Sequence, residues 1–266
     1  MITPDHIAEA IDLDKLPSGP RVLARLTSLL LQPEVELAEI AGLFQSDPAL
    51  AARVVASCNS SYYGGREPID NIRDAVLRLG LRELSHLTQI VALTDLRKFP
   101  TRLYPATADH FWARSLHTAF VADEISLGDP AAYTAGIMHL VGIWVLCSVL
   151  PAGEESIDER ELALRGQLER LRLGVSFTDA GTFALAEWGF SPKICEAVRC
   201  QLLPSLCNDP PYRDLAKILR RAVAVTDWHY GAKNEKTLIR SDLTITDLED
   251  CGRRAAQKVA KIGFGF

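Results

Sequence analysis

Apolar residues recur at helical spacing along almost the whole chain. No segment of useful length alternates apolar and polar residues at the period of two that a strand requires. That regularity confines the chain to helix-on-helix architectures. Val22, Leu23, Leu26, Leu29 and Leu30 form one stripe, and Leu37, Ile40, Ala41 and Phe44 form another. The punctuation agrees. Asp47-Pro48, Asp129-Pro130 and Ser191-Pro192 each place a capping side chain before a proline at the first helical position, where its missing N–H is no loss. Gly64 and Gly65 are expected to stop the helix that Asp47 opens. Asp70-Asn71 opens the next, and Gly80 breaks it. Further helices are expected over 81–96, 111–125 (amphipathic), 215–230 and 249–262. The expected fold is all-α.

Pro100 and Pro105, in KFPTRLYPAT, mark the expected boundary between an N-terminal helical lobe, residues 1–105, and a second helical lobe with a C-terminal helix, residues 106–266. Residues 131–150 lack Asp, Glu, Lys and Arg and approach the ~20 residues of a membrane span. With Gly136, His139 and Gly142 inside it, the run reads instead as one central buried helix. Residues 158–173 alternate Glu, Arg and Leu, with Glu161 four residues before Arg165, and read as a solvated helix. Trp112, Trp144, Trp188 and Trp228 read as core anchors.

A net charge of −5 and a pI near 5.7 give no basic excess for a general nucleic-acid binder. The N-terminus has neither the basic nor the apolar region of a signal peptide, so the expected compartment is the cytoplasm, with no membrane partner. Six cysteines form no C-x-x-C pair. Cys58 and Cys147 read as small buried hydrophobes. Cys195, Cys200 and Cys207, spaced C-x4-C-x6-C, match no recognised metal pattern.

Three stretches together resemble one family. LPSGPRVLARLTSLL precedes SDPALAARVVASCNSSYYG; then comes IDNIRDAVLRLGLREL; then FWARSLHTAF, AGIMHLVGIWVL and AGTFALAEWGFSPKICEAV. Their order is similar to the HD-related output domain, HDOD, over about residues 14–230. The N-S-x-Y-Y-G motif (Asn59, Ser60, Tyr62, Tyr63, Gly64) and the I-R-D-A-V-x-x-L-G run are its most specific parts. The resemblance implies an all-helical protein of bacterial signal transduction, with an N-terminal helical lobe and a degenerate HD-type lobe. Asn59, Tyr62 and Tyr63 read either as a helix C-terminal cap with packed rings or as a surface patch for a partner.

HD-type hydrolases hold metal with histidines, an adjacent His-Asp pair and a distant Asp, and the ion activates a water for attack on a phosphate ester. By the resemblance, His139 matches the histidine of the pair, but its aspartate position is Leu140. The upstream histidine position is Arg114, a fixed cation. Another histidine position is Phe177, and a later pair falls at Gln201 and Leu202. Asp227 matches the distant aspartate. Two ligands remain where a stable site needs at least three. His117, one turn beyond Arg114, could join His139 and Asp227 in a displaced site. The plainer reading of His139 is a neutral core histidine bonded to a neighbour such as Asp227.

The expectation is a non-catalytic signalling module without cofactor or metal. No receiver or cyclase domain stands in this sequence, so it should act through contacts with a separate signalling protein. Alternative readings are a metal-dependent phosphohydrolase using His117, His139 and Asp227, and a nucleotide sensor whose degenerate pocket (Arg114, His139, Leu140, Asp227) meets phosphate through Arg114. The apolar C-terminal tail, KVAKIGFGF, either packs back on the domain or serves a homodimer.

Overall fold

The structure is a computed structural model that describes residues 19–60, 62–65, 67–149 and 162–263. Among these residues every regular element is helical. The cap signals act as their chemistry predicts. The Asp47 side chain accepts from Leu50 N–H at 2.9 Å and opens α3 (Pro48–Cys58), after α1 (Gly19–Leu30) and α2 (Leu37–Gln45). Asn71 accepts from Asp74 N–H at 2.9 Å and opens α4 (Ile72–Leu79). Gly80, at φ 78°, turns the chain into α5 (Leu81–Thr94), which ends in a 3-10 turn, Asp95–Lys98. A side chain at that φ would be strained, so the break is written into the glycine. The first helix stop differs from expectation: α3 ends at Cys58 with Asn59 as its cap, and Gly64 lies beyond in a turn, its N–H bonding Ser60 O at 2.6 Å.

Past the prolines run α6 (Ala108–Ile125), α7 (Pro130–Met138), α8 (Val141–Val149), α9 (Leu162–Leu173), α10 (Phe177–Glu187) and α11 (Pro192–Arg199). The chain closes with α12 (Pro210–His229), α13 (Glu235–Ser241) and α14 (Ile245–Gly263). One apolar core, from Leu23 and Leu87 to Val225 and Leu248, is continuous across the proline stretch. Each fully buried leucine or phenylalanine in it contributes about 1.5–3 kcal/mol. Two polar links also bridge the halves. Thr27 on α1 and Thr134 on α7 share a hydrogen bond at 3.1 Å, and Arg82 on α5 donates to both oxygens of Asp123 on α6 at 2.7 Å.

The four tryptophans are buried, as expected. The window Pro130–Ser148 is apolar and long enough to cross a membrane, yet 89% of it is buried in the core. It is not one helix. α7 ends at Met138, His139 caps it, and α8 restarts at Val141 with Ile143 N–H bonding Leu140 O at 2.9 Å. Gly142 stands at the start of α8. A Cβ there would fall on Phe177 O and stand 2.6 Å from Gly181 N, so the α8 and α10 backbones all but touch. The turn at 139–140 aims α8 into that contact. Helix α6, expected to be amphipathic, is buried on nearly every face, because α5, α7, α12 and α14 all pack against it. At Ser191 the position is right but the side chain makes no cap bond.

Candidate functional site

Helices α6 and α12 bring two of the family-matched positions, Arg114 and Asp227, together. Arg114 on α6 donates to Asp227 Oδ1 on α12, and Arg240 of α13 lies 3.8 Å from Asp227 Oδ2. Arg114 is 9% and Asp227 3% exposed, so this ion pair sits inside the protein. The Arg114 guanidinium also lies 5.2 Å from the Tyr230 ring centroid, a favourable place for a cation. Burial pushes the Asp227 carboxyl above its ordinary range, and Arg114 and Arg240 oppose that shift.

His117 uses both ring nitrogens within the protein. Nε2 is 2.9 Å from Gly252 O, which can only accept, so this nitrogen carries the proton. Nδ1, 2.9 Å from Thr226 Oγ1, is then the acceptor. Burial holds His117 near 4, below its usual 6.5, despite the Gly252 bond. His139 is hydrogen-bonded through Nδ1 to Gly136 O at 2.7 Å, one turn back on its own helix. Its partner is therefore not Asp227, the neighbour expected from sequence. Full burial lowers its pKa to about 3, so it is a neutral core histidine. Leu140 and Phe177 are wholly buried in apolar packing. Gln201 donates from Nε2 to His139 O and to Val198 O, both at 2.9 Å, and so fixes the turn between α7 and α8.

The sequence pattern missed one part of this centre. The α9 segment, expected to be solvated, buries Arg165 and Glu169 at 7% and 0% exposure. Glu169 accepts from the Tyr104 hydroxyl at 2.7 Å and from Phe177 N–H at 2.6 Å. Burial raises it to about 7 against those bonds. Arg165 lies over the rings of Tyr104 and Phe111 at 5.2 and 5.4 Å. An i, i+4 pair of opposite charge reads as solvent-exposed by pattern alone; only the partners supplied by Tyr104 and the start of α10 place it inside. Glu161 lies outside the described residues.

These residues do not fit a divalent ion. His117 has both ring nitrogens engaged and no lone pair to spare, which leaves His139 and Asp227 short of the three protein donors such a site needs. Among the described residues, His117, His139 and Asp227 do not gather into a ligand cluster. The donors that do are Glu196, Cys200 and Cys207, whose ligand atoms all lie within 4.8 Å of one another. Cys195 is excluded: its Sγ turns to Phe190 O at 3.6 Å.

The N-S-x-Y-Y-G motif has a clear mechanical role. The Asn59 side chain clamps a distant backbone, donating to Ile69 O at 2.7 Å and accepting from Ile69 N–H at 2.9 Å. This pins the loop between α3 and α4. A Cβ on Gly64 would meet Ser60 O at 2.6 Å, so the turn admits only glycine without a shift. Tyr62 and Tyr63 pack edge to face, 4.4 Å between centroids, with Tyr62 38% exposed.

The all-helical fold of the described residues defines the class. The chain belongs to the HDOD domain family, whose pattern it matches over residues 16–204. It is 28% identical over 201 residues to an uncharacterized protein of Treponema pallidum (strain Nichols), a match covering 70% of this chain. The match spans 37% of that relative's length. An HDOD domain protein of unknown function from Geobacter sulfurreducens has the same fold, at TM-score 0.64 and 24% identity, covering 95% of this chain and 96% of that one. A protein from Marinobacter aquaeolei VT8 provisionally described as a signal transduction protein aligns at TM-score 0.65 and 20% identity, over 93% of this chain and 58% of that one. A Shewanella amazonensis SB2B protein provisionally described as a phosphohydrolase aligns at TM-score 0.61 and 23% identity, over 94% and 92%.

Proposed function

We propose that this chain is a regulatory module of bacterial signal transduction that performs no chemistry and acts by contact with other proteins. The observation that carries this reading is the buried Arg114–Asp227 pair. A guanidinium has taken the role of counter-ion to the aspartate that the family's hydrolytic relatives would offer to metal. A guanidinium has donors only and no lone pair to lend a metal. The provisional description of the Marinobacter aquaeolei protein supports a signalling role; that of the Shewanella amazonensis protein favours the rival hydrolase. The reading includes two lobes, residues 1–105 and 106–266, in the cytoplasm, with the exposed Tyr62 ring beside the pinned Asn59 turn as contact surface.

The test is metal-dependent phosphodiesterase activity on bis(p-nitrophenyl) phosphate with added manganese, iron or zinc, in the intact chain and in His139→Ala. No turnover above the metal-only rate is expected. Turnover that disappears in His139→Ala overturns the reading and restores the hydrolase built on His117, His139 and Asp227.

A further inference from the structure

A second constellation lies at the C-terminal end of α11 and shares no residue with the Arg114–Asp227 pair. Glu196 and Cys200 stand four residues apart at the end of this helix, the spacing that puts two side chains on one face. The chain then makes a 3-10 turn, Pro204–Leu206, with Cys207 N–H bonded to Pro204 O at 3.1 Å. That turn carries Cys207 back over the helix end, where its thiol meets Glu196 O at 3.6 Å. The two sulfurs and a Glu196 carboxylate oxygen lie within 4.8 Å of one another. Both cysteines are free thiols, 0% and 1% exposed, whereas the Glu196 side chain is 33% exposed.

We propose that Glu196, Cys200 and Cys207 form a binding site for one thiophilic divalent cation of the zinc and cadmium class. The donor set is two soft sulfurs and one carboxylate, which suits a d10 ion and leaves a fourth tetrahedral position for water. Around such an ion, sulfurs at about 2.3 Å stand about 3.8 Å apart, so the ligands need draw in by at most about 1 Å. The partly exposed Glu196 side supplies the entry path. Charge also closes. On binding, both thiols release their protons to solvent, so two thiolates and a carboxylate face a dication with one negative charge over. Arg199 balances it: it already holds both Glu196 oxygens, at 2.9 and 2.6 Å. A carboxylate has about four lone-pair sites, so keeping Arg199 does not prevent Glu196 from meeting the ion. Sequence spacing hid this site because its first ligand is Glu196, not Cys195; E-x3-C-x6-C is the pattern that folds together.

The test is titration of the full chain with cadmium(II), after reduction with a non-thiol reductant, following the ultraviolet thiolate-to-metal band and proton release. Expected is saturation at one cadmium per chain with two protons released. The band should vanish in Cys200→Ser and in Cys207→Ser, persist in Cys195→Ser and His139→Ala, and show at least about tenfold weaker affinity in Glu196→Gln. Circular dichroism checks that each variant folds. Should a serine variant not fold, the visible spectrum of the cobalt(II)-loaded wild type decides, through the intense bands of a tetrahedral two-thiolate site. The proposal is overturned if no saturable band or tetrahedral cobalt spectrum forms, or if the band survives loss of Cys200 or Cys207 or depends on Cys195. A chain lighter by two hydrogens that takes up no cadmium, a Cys200–Cys207 disulfide, overturns it as well. Metal that depends on His139 but not on Cys200 would instead count against the non-catalytic reading, so the two failures are distinguishable.

Discussion

Arg114 and Asp227 stand 113 residues apart in sequence and form an ion pair buried between α6 and α12, with Arg240 of α13 approaching the second carboxylate oxygen. The pair joins three helices through one carboxylate. Its consequence is asymmetric: removing one partner leaves the other charged and dry, whereas removing both can be tolerated.

Arg114→Ala should therefore lose about 3–5 kcal/mol of stability, towards the low end because Arg240 remains near Asp227. The double variant Arg114→Met with Asp227→Leu should lose less than Arg114→Met alone. Urea unfolding of the four species of this cycle measures the coupling. Strictly additive losses would refute the ion pair's structural role.

His117 makes stability depend on pH, with a definite sign. Its folded pKa, near 4, lies below the ordinary 6.5, so between those values the unfolded chain binds a proton that the folded chain refuses. Stability from this group is complete above about 6.5 and is lost as pH falls towards 4, a total of about 3 kcal/mol. Glu169 slopes the other way, since its folded pKa is raised to about 7 and its contribution falls as pH rises from 4.5. His86 and His139, both near 3, add to the acid loss. Comparison with His117→Gln, whose amide can still donate to Gly252 O, cancels these shared terms. The stability difference, wild type minus variant, should shrink by about 3 kcal/mol from neutral pH to about 4. A difference that does not change with pH would dismiss this account of His117.

Asn59 is predicted to matter as a clamp. Asn59→Ala removes both bonds to Ile69 and should cost about 1–3 kcal/mol, as does leaving buried partners unsatisfied elsewhere. Asn59→Asp keeps the acceptor for Ile69 N–H but faces Ile69 O with a second acceptor, so it should be no better. Thermal melts of both variants check this; full stability in either would show that the turn holds without the clamp.

Gly142→Ala should be among the most damaging single-methyl additions in the chain. The added carbon would fall on Phe177 O and Gly181 N, which are backbone atoms and cannot rotate away. Overpacking of this kind costs about 1–3 kcal/mol or more. Gly42→Ala, where nothing lies within 4 Å, serves as the control and should be neutral or stabilising. Equal melting temperatures for the two variants would contradict the close approach of α8 and α10.

The helical fold could be read from the sequence because its signals are local. Asp47, Asn71 and Asp129 cap helices through atoms two or three residues away, and Gly80 breaks one through its own φ. Periodicity also picked out inward residues such as Val22, Leu23, Leu26, Ile40 and Phe44, though Leu37 of the second stripe is exposed, and the order of the motif stretches was enough to indicate the HDOD family. Where the core wraps a helix completely, as at α6, periodicity has nothing to report, since no face is left for water.

What only the tertiary structure decided rests on partners distant in sequence. Leu140 and Arg114 could be aligned with lost ligands, but that Arg114 reaches Asp227 depends on how α6 lies on α12. Gly142 lets α8 meet α10, a contact across 35 residues that no local pattern encodes. Arg165 and Glu169 look like a solvated pair until Tyr104 and Phe177 N–H are brought to them. Glu196, Cys200 and Cys207 become neighbours only when the Pro204 turn folds back. Local chemistry selects helices and their ends; which charges are buried, and against what, is set by packing among helices far apart in the chain.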